Sequence, residues 1–140
     1  MTDQAPEVLL GAYVGEANTE SFLLNTGTVN PGDLVKLLAT ATGQPLQVVA
    51  AGAGDPVIGV VQRVYTVMGQ TWVSVIVRGK TKLTASAAAI AAGAKVKAAG
   101  QSTIAAYVVG TDPVNAAFGT ALQNAASGDT ILVIVDCAGV

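Results

Sequence analysis

The side chains that most often carry catalysis are scarce in this sequence. The chain has 140 residues and no histidine. That absence removes the usual general base, the Ser–His–Asp and Cys–His arrangements and most zinc sites. The nine carboxylates are scattered, and no D-x-D-x-D-G calcium loop is present. A hydrolase would therefore need two carboxylates that folding brings to within roughly 5 to 10 Å of each other in a pocket.

The remaining reactive groups have simpler interpretations. Asp33, Asp55, Asp112 and Asp129 lie in turns rich in Gly and Pro, where Asp is favoured for hydrogen bonding to the local backbone. The single cysteine, Cys137, cannot form an internal disulfide and is predicted to be a small, buried strand residue. No glycine-rich loop has the Lys-Ser/Thr ending of a phosphate-binding loop. We therefore predict no catalytic residue, cofactor or metal.

The most regular charged pattern is Arg78, Lys80 and Lys82, at spacing i, i+2 and i+4. A strand would direct all three side chains to one side. They could form a solvated edge that discourages aggregation, or a docking surface. Nucleic-acid binding is disfavoured, because the chain has only seven basic residues, a net charge of −2 and no accompanying aromatic ladder.

Charge is distributed unevenly along the chain. Residues 1–33 contain five acids and no Lys or Arg, whereas residues 63–97 contain six basic residues and no acid. The acids of the first segment are Asp3, Glu7, Glu16, Glu20 and Asp33. This asymmetry predicts complementary contacts, either within an oligomer or with a larger acidic surface.

The elements that would position these residues are β-strands. Val57–Val67 and Thr71–Val77 are rich in β-branched residues and are joined by Met68-Gly69-Gln70, which predicts a hairpin. In the second arm Val73, Val75 and Val77 alternate with Trp72, Ser74, Ile76 and Arg78. Only the valine face is consistently apolar, so we expect that face to meet the core.

A second copy of this pattern follows. Phe118–Gln123 is similar to Ile58–Arg63, and Thr130–Val135 is similar to the second arm of the first hairpin. The similarity indicates pseudo-repeats at about residues 31–79 and 92–137, as in a duplicated β-unit, although chance similarity between strands rich in Gly and Val is the alternative.

The predicted fold is mainly β, a compact β-barrel or β-sandwich-like domain of two related β-units. Residues 1–20 are predicted to be an N-terminal arm and residues 21–140 a single β-rich domain. Thr84–Gly93 is predicted to be one short helix, because it is rich in alanine, begins with possible caps and ends at Gly.

The composition also predicts self-association. Hydrophobic residues make up 51% of the chain and charged residues 11%, so a small monomer would expose much apolar surface. The sequence contains no run of ~18 apolar residues, so no membrane span is predicted. The acidic start of the chain is unlike a secretory signal. The candidate contact residues are apolar or aromatic: Val8, Leu9, Leu10, Tyr13, Phe22 and Trp72.

Several motifs in the second half of the chain occur together in one known family. They are Leu83–Val96 (LTASAAAIAAGAKV), Phe118–Leu122 (FGTAL), Ala126–Asp129 (ASGD) and the strand Ile131–Asp136. In this order they resemble the small capsid decoration (cement) proteins of tailed viruses. Asn30–Val35 and Ile58–Val61 extend the resemblance to about residues 20–137.

The resemblance implies a structural protein. Members of such families lie on the outer surface of the capsid, commonly as trimers at three-fold and quasi-three-fold positions, and hold neighbouring capsomers together. It therefore implies the major capsid protein and further copies of this chain as partners, and no nucleic acid or membrane. The alternative is a receptor- or glycan-binding β-module of a virion fibre or cell surface.

Overall fold

The computed structural model describes residues 17–38 and 46–137, and nearly all regular structure in them is β-strand. The strands are β1 (Asn18–Leu24), β2 (Leu34–Leu37), β3 (Gln47–Ala50), β4 (Gly59–Val67), β5 (Gln70–Ala85), β6 (Lys95–Ala98), β7 (Thr103–Ala106), β8 (Gly119–Ala121) and β9 (Thr130–Asp136). A 3-10 helix, Val114–Ala116, lies between β7 and β8. The prediction of a mainly β fold is confirmed.

The strands close into two five-stranded rings that share β5. In the first ring the hydrogen-bonded order is β1-β3-β2-β4-β5, and β5 pairs back onto β1. In the second ring the order is β5-β7-β6-β8-β9, and β9 pairs back onto β5. The first half of β5 serves the first ring and the second half serves the second ring, because β1 pairs with residues 72–78 and β9 with residues 78–84.

Pairing directions are the same in the two rings. The parallel pair β1–β3 corresponds to the parallel pair β5–β7, and every other pair within a ring is antiparallel. The first segment of similar sequence, at about residues 31–79, contains β2 to β4 and the first part of β5, and the second, at about residues 92–137, contains β6 to β9. In the structure each ring also includes an earlier strand, which is β1 in the first ring and the second half of β5 in the second ring.

The first hairpin forms as predicted and extends further than predicted. Its turn is Met68-Gly69, and both residues have positive φ (51° and 79°), as a two-residue hairpin turn requires. Val73, Val75 and Val77 are buried, which confirms that the valine face meets the core. The second arm then continues to Ala85, eight residues beyond the predicted end at Val77.

Two apolar clusters fill the molecule, one inside each ring. Both clusters contain side chains of β2 and β4, because successive side chains of a strand point to opposite faces. Val35 and Val61 face the cluster of the first ring, whereas their neighbours Leu34 and Val60 face the cluster of the second ring. These strands are therefore covered on both faces, and the wall of the first ring is also packing surface for the second ring.

The helix predicted at Thr84–Gly93 is wrong. Thr84 and Ala85 belong to β5, and the backbone of Ile90 exchanges two hydrogen bonds with Ala125, at 2.9 and 2.8 Å. A ten-residue alanine-rich helix is marginal alone, so tertiary pairing overrides its propensity. Pairing also buries the Ile90 side chain in the core of the second ring.

Two equivalent ion pairs attach a loop to each ring. Lys36 Nζ of β2 lies 2.9 Å from Asp55 Oδ2, and Lys97 Nζ of β6 lies 2.6 Å from Asp112 Oδ1. Each aspartate also accepts a backbone N–H of its own loop at 2.7 Å, from Gly52 and Val108 respectively. The lysine hydrogen bond, followed by the backbone N–H, holds the pKa of Asp55 and of Asp112 below the usual value.

Close approach of strands explains two equivalent glycines. A Cβ on Gly59 would lie 2.8 Å from the carbonyl oxygen of Ile76, and one on Gly119 would lie 2.5 Å from that of Ile134. Both obstacles are backbone atoms of the neighbouring strand, so a side chain could be admitted only by displacing that strand.

Substituting Gly119→Ala should lower the free energy of unfolding by about 1 to 3 kcal/mol, the usual cost of overpacking. The control is Gly100→Ala, where the added Cβ meets only the movable Thr103 hydroxyl at 3.3 Å. Urea denaturation followed by circular dichroism measures both variants. Equal stabilities for the two variants would contradict the close-approach explanation.

The ion pairs predict an acid-sensitive contribution to stability. An aspartate whose pKa is lowered by folding stabilises the protein above its unfolded pKa of about 3.9, and loses that contribution as the pH falls through the folded pKa. Asp112→Asn should therefore reduce the free energy of unfolding at pH 7, and the deficit relative to wild type should shrink below about pH 4. Urea denaturation at a series of pH values tests this, and a deficit that does not change with pH would count against it.

Candidate interaction surface

Potential metal ligands do not come together in the described part of the chain. Within residues 17–38 and 46–137, no cluster of three or more potential ligands (His, Cys, Asp or Glu) is present. Asp33 is the one carboxylate among the described residues that line a cleft of about 320 Å³, and its Oδ2 accepts hydrogen bonds from Asn30 N and Gln101 Nε2, both at 2.9 Å. The described lining of this cleft therefore lacks the pair of carboxylates that a hydrolase would need.

Cys137 is unsuited to nucleophilic chemistry. Its side chain is buried among the core residues of the second ring, as predicted, although Cys137 follows the last residue of β9 and is not itself in the strand. Burial, with a smaller effect of the neighbouring Asp136 charge, raises the pKa of the Cys137 thiol to about 12. The group therefore stays protonated at neutral pH, whereas the thiolate is the reactive form.

The basic face consists of Arg78, Lys80 and Lys82. All three are exposed and alternate with less exposed neighbours along β5, which confirms the prediction that a strand directs them to one side. Their cross-strand neighbours on β9 are Asp136, Ile134 and Leu132. The basic face is therefore part of the β5–β9 strand pair, in which cationic side chains stand beside partly exposed apolar ones.

Only one cation of the basic face has an ionic partner among the described residues. Arg78 Nε lies 3.3 Å from Asp136 Oδ1, and both side chains are more than half exposed, so this pair contributes little to stability. Within the described residues no carboxylate forms an ion pair with Lys80 or Lys82.

Trp72 lies at the other end of β5, on the side of the sheet that faces away from the first core. It is half-buried, and its cross-strand neighbours are Tyr65 on β4 and Leu23 on β1. The Arg63 guanidinium lies 5.4 Å from the centre of the Tyr65 ring. This small aromatic surface is separate along β5 from the basic face. Its role as an interface remains a prediction.

The other predicted contact residues are placed differently. Phe22 is 7% exposed and packs inside the first ring, so its side chain belongs to the core and is not a surface anchor. It occupies an inward position of β1, opposite Val73. Val8, Leu9, Leu10 and Tyr13 lie outside the described residues.

Sequence reasoning did not single out the most exposed apolar side chains. Met68 at the tip of the first hairpin is 96% exposed, and Val109 and Val114 in the loop between β7 and β8 are 85% and 90% exposed. The sequence could have indicated their exposure, because each of these residues lies in or next to a turn sequence. The Lys97–Asp112 ion pair attaches the loop between β7 and β8 to β6, and Val109 and Val114 are exposed in this loop.

The chain has a structural relative of low sequence identity. No protein-family model and no curated protein sequence matches the chain. Among solved structures, it is similar to the crystal structure of the head fiber gp8.5 N base in bacteriophage phi29, with a TM-score of 0.58 and 13% identity. The alignment covers 87% of this chain and 96% of that one. At this identity the similarity establishes a shared fold. No helix long and apolar enough to cross a membrane was found in the described residues.

Proposed function

We propose that this chain is a structural protein of a phage virion that decorates the outer surface of the capsid. The observation that carries the proposal is the fold shared with the base of a phage head fiber protein, over almost the whole length of both chains. The motifs that resemble those of capsid decoration proteins are the reason for proposing decoration in particular. The proposed partner is the major capsid protein.

The described surface suits attachment better than it suits catalysis. The strands β5 and β9 offer a surface on which Lys80 and Lys82 stand beside Ile134 and Leu132. Cationic groups on such a surface favour an acidic partner and speed the encounter with it. One exposed ion pair contributes little to the free energy of binding. Many identical copies bound to one shell would strengthen attachment through the sum of their weak contacts.

Self-association completes the proposal. Several large apolar side chains remain exposed on the described part of the chain, among them Met68, Val109 and Val114. A homotrimer would cover part of this area and would match the three-fold positions that decoration proteins commonly occupy. Val8, Leu9, Leu10 and Tyr13 stay proposed contact residues of the arm, whereas Phe22 is excluded because its side chain fills the core of the first ring.

A fibre module that binds a receptor or glycan is the second candidate. One observation favours it: the Trp72 and Tyr65 side chains stand next to each other on the outer side of the first ring, and exposed aromatic rings can bind ligands. Glycan titration and electron microscopy of particles with and without the protein would separate this candidate from capsid decoration.

The docking role of the basic face predicts a charge-dependent attachment. Lys80→Glu combined with Lys82→Glu should weaken binding to undecorated capsids by roughly tenfold or more, because two attractive contacts become repulsive. Sedimentation of capsids with bound protein, at several salt concentrations, provides the measurement. Wild-type attachment should also weaken as salt is added.

The matched control is Arg63→Glu combined with Lys95→Glu, which changes net charge equally but lies away from the basic face. We expect this control to attach nearly as well as wild type. Equal losses in the two double variants would assign the effect to net charge, and undiminished attachment of Lys80→Glu/Lys82→Glu would reject the docking role of the basic face.

A further inference from the structure

Among the described residues, no strand lies along one edge of β5 over five residues. On the edge opposite β9, β5 pairs with β1 up to Arg78 and with β7 from Thr84 onward. Between these points, from Gly79 to Leu83, no strand of residues 17–38 and 46–137 lies alongside. We call this segment the open edge.

Backbone groups of Lys80 and Lys82 point into the open edge. Ala85 N donates to Asp129 O, and Cys137 N donates to Val77 O, so odd-numbered residues of β5 bond toward β9. Ser86 N donates in the opposite direction, to Ile104 O of β7. Because the direction alternates along a strand, the N–H and C=O groups of Lys80 and Lys82 face away from β9.

The surroundings of the open edge have room for another strand. The cleft of about 320 Å³ lies beside it and separates this part of β5 from the first ring. Its lining comes from three segments: Pro31–Asp33, Lys82–Thr84 and Ser102-Thr103. A strand edge whose N–H and C=O groups have no strand partner, as here among the described residues, can accept an added strand.

Ala17, the first described residue, lies next to Gly79, the first residue of the open edge. A Cβ on Gly79, the first residue of the open edge, would lie 2.9 Å from the Ala17 Cβ, and Asn18 pairs with Arg78. Because β1 runs antiparallel to β5, a chain that continued backward from Ala17 without turning would run along the open edge. At about 3.3 Å per residue, three residues suffice to pass Lys80 and Lys82.

Charge favours the same occupant. In that register Glu16 would stand opposite Lys80 and Val14 opposite Lys82. The preceding segment carries Asp3 and Glu7 as well as Glu16, and has no Lys or Arg. The strand that would receive it carries three cations within five residues. Opposite charges directly across a strand pair stabilise the pairing, by roughly 0.2 to 1 kcal/mol.

We propose that Val14–Glu16 of the same chain extend β1 and pair with the open edge of β5 at Lys80–Lys82. The extension supplies backbone partners to Lys80 and Lys82 and places the Glu16 carboxylate beside the Lys80 ammonium. Residues 1–13 remain for contacts elsewhere. The inference concerns the protein alone and stands or falls separately from attachment to a capsid.

Amide exchange of the full-length chain tests the pairing. Val14→Pro removes the N–H that would bond to Lys82 O and so blocks the extension. The Lys82 amide should then exchange faster than in wild type, on the order of tenfold, the size expected from one net hydrogen bond. Val8→Pro is the control and should leave Lys82 exchange unchanged. Unchanged exchange in Val14→Pro would overturn the proposal.

Disulfide trapping gives a second, independent readout of the register. Glu16→Cys with Lys80→Cys should form an intrachain disulfide, because directly opposed strand residues are about 5.5 Å apart. The diagonal pair, Glu16→Cys with Lys82→Cys, should form it at least several-fold more slowly, since diagonal neighbours are roughly 7 to 8 Å apart. Cys137 can stay in place, since its thiol is buried and protonated.

The product distinguishes the possible occupants. A monomeric crosslinked species in the 16/80 pair supports pairing within one chain. A disulfide-linked dimer would show that the arm of a second copy occupies the edge and would overturn the proposal, as would equal rates for the two cysteine pairs.

Discussion

The ladder along β5 is the interaction on which the two rings depend. Its first half pairs with β1 and β4 and closes the first ring, and its second half pairs with β9 and β7 and closes the second. Inward-facing valines of the first half and Leu83 and Ala85 of the second half contribute to different cores. Removing β5 would open both rings. The shared strand therefore joins the two rings through its covalent backbone, its hydrogen bonds and the packing of its side chains.

This sharing accounts for part of the apolar composition. A barrel strand usually has one face toward the core and one toward water, but β2 and β4 place side chains in both clusters. Leu34 and Val35 are adjacent, face opposite ways and are both fully buried. The common wall of the two cores therefore buries apolar side chains on both of its faces. The apolar side chains left exposed are concentrated at turns and loops.

Much of the fold could be predicted from local pattern. The alternation of Val73, Val75 and Val77 and the turn at Met68-Gly69 were sufficient to predict the first hairpin, and similarity of the two halves pointed to two related units. The alanine-rich segment after β5 was mispredicted, since propensity cannot register the pairing of Ile90 with Ala125, 35 residues away. The basic face followed from spacing alone. The burial of Phe22 depends on ring closure, and the Lys36–Asp55 pair joins residues 19 apart in the sequence, so no local pattern encodes either.

The length of β5 has a mechanical consequence. Sixteen extended residues span about 53 Å at about 3.3 Å per residue, so a single strand runs from one end of the double ring toward the other. A pull along this axis would load the flanking ladders in shear, and many hydrogen bonds would have to break together instead of unzipping one at a time. The double ring should therefore resist tension along β5 far better than tension that peels β1 or β9 away sideways.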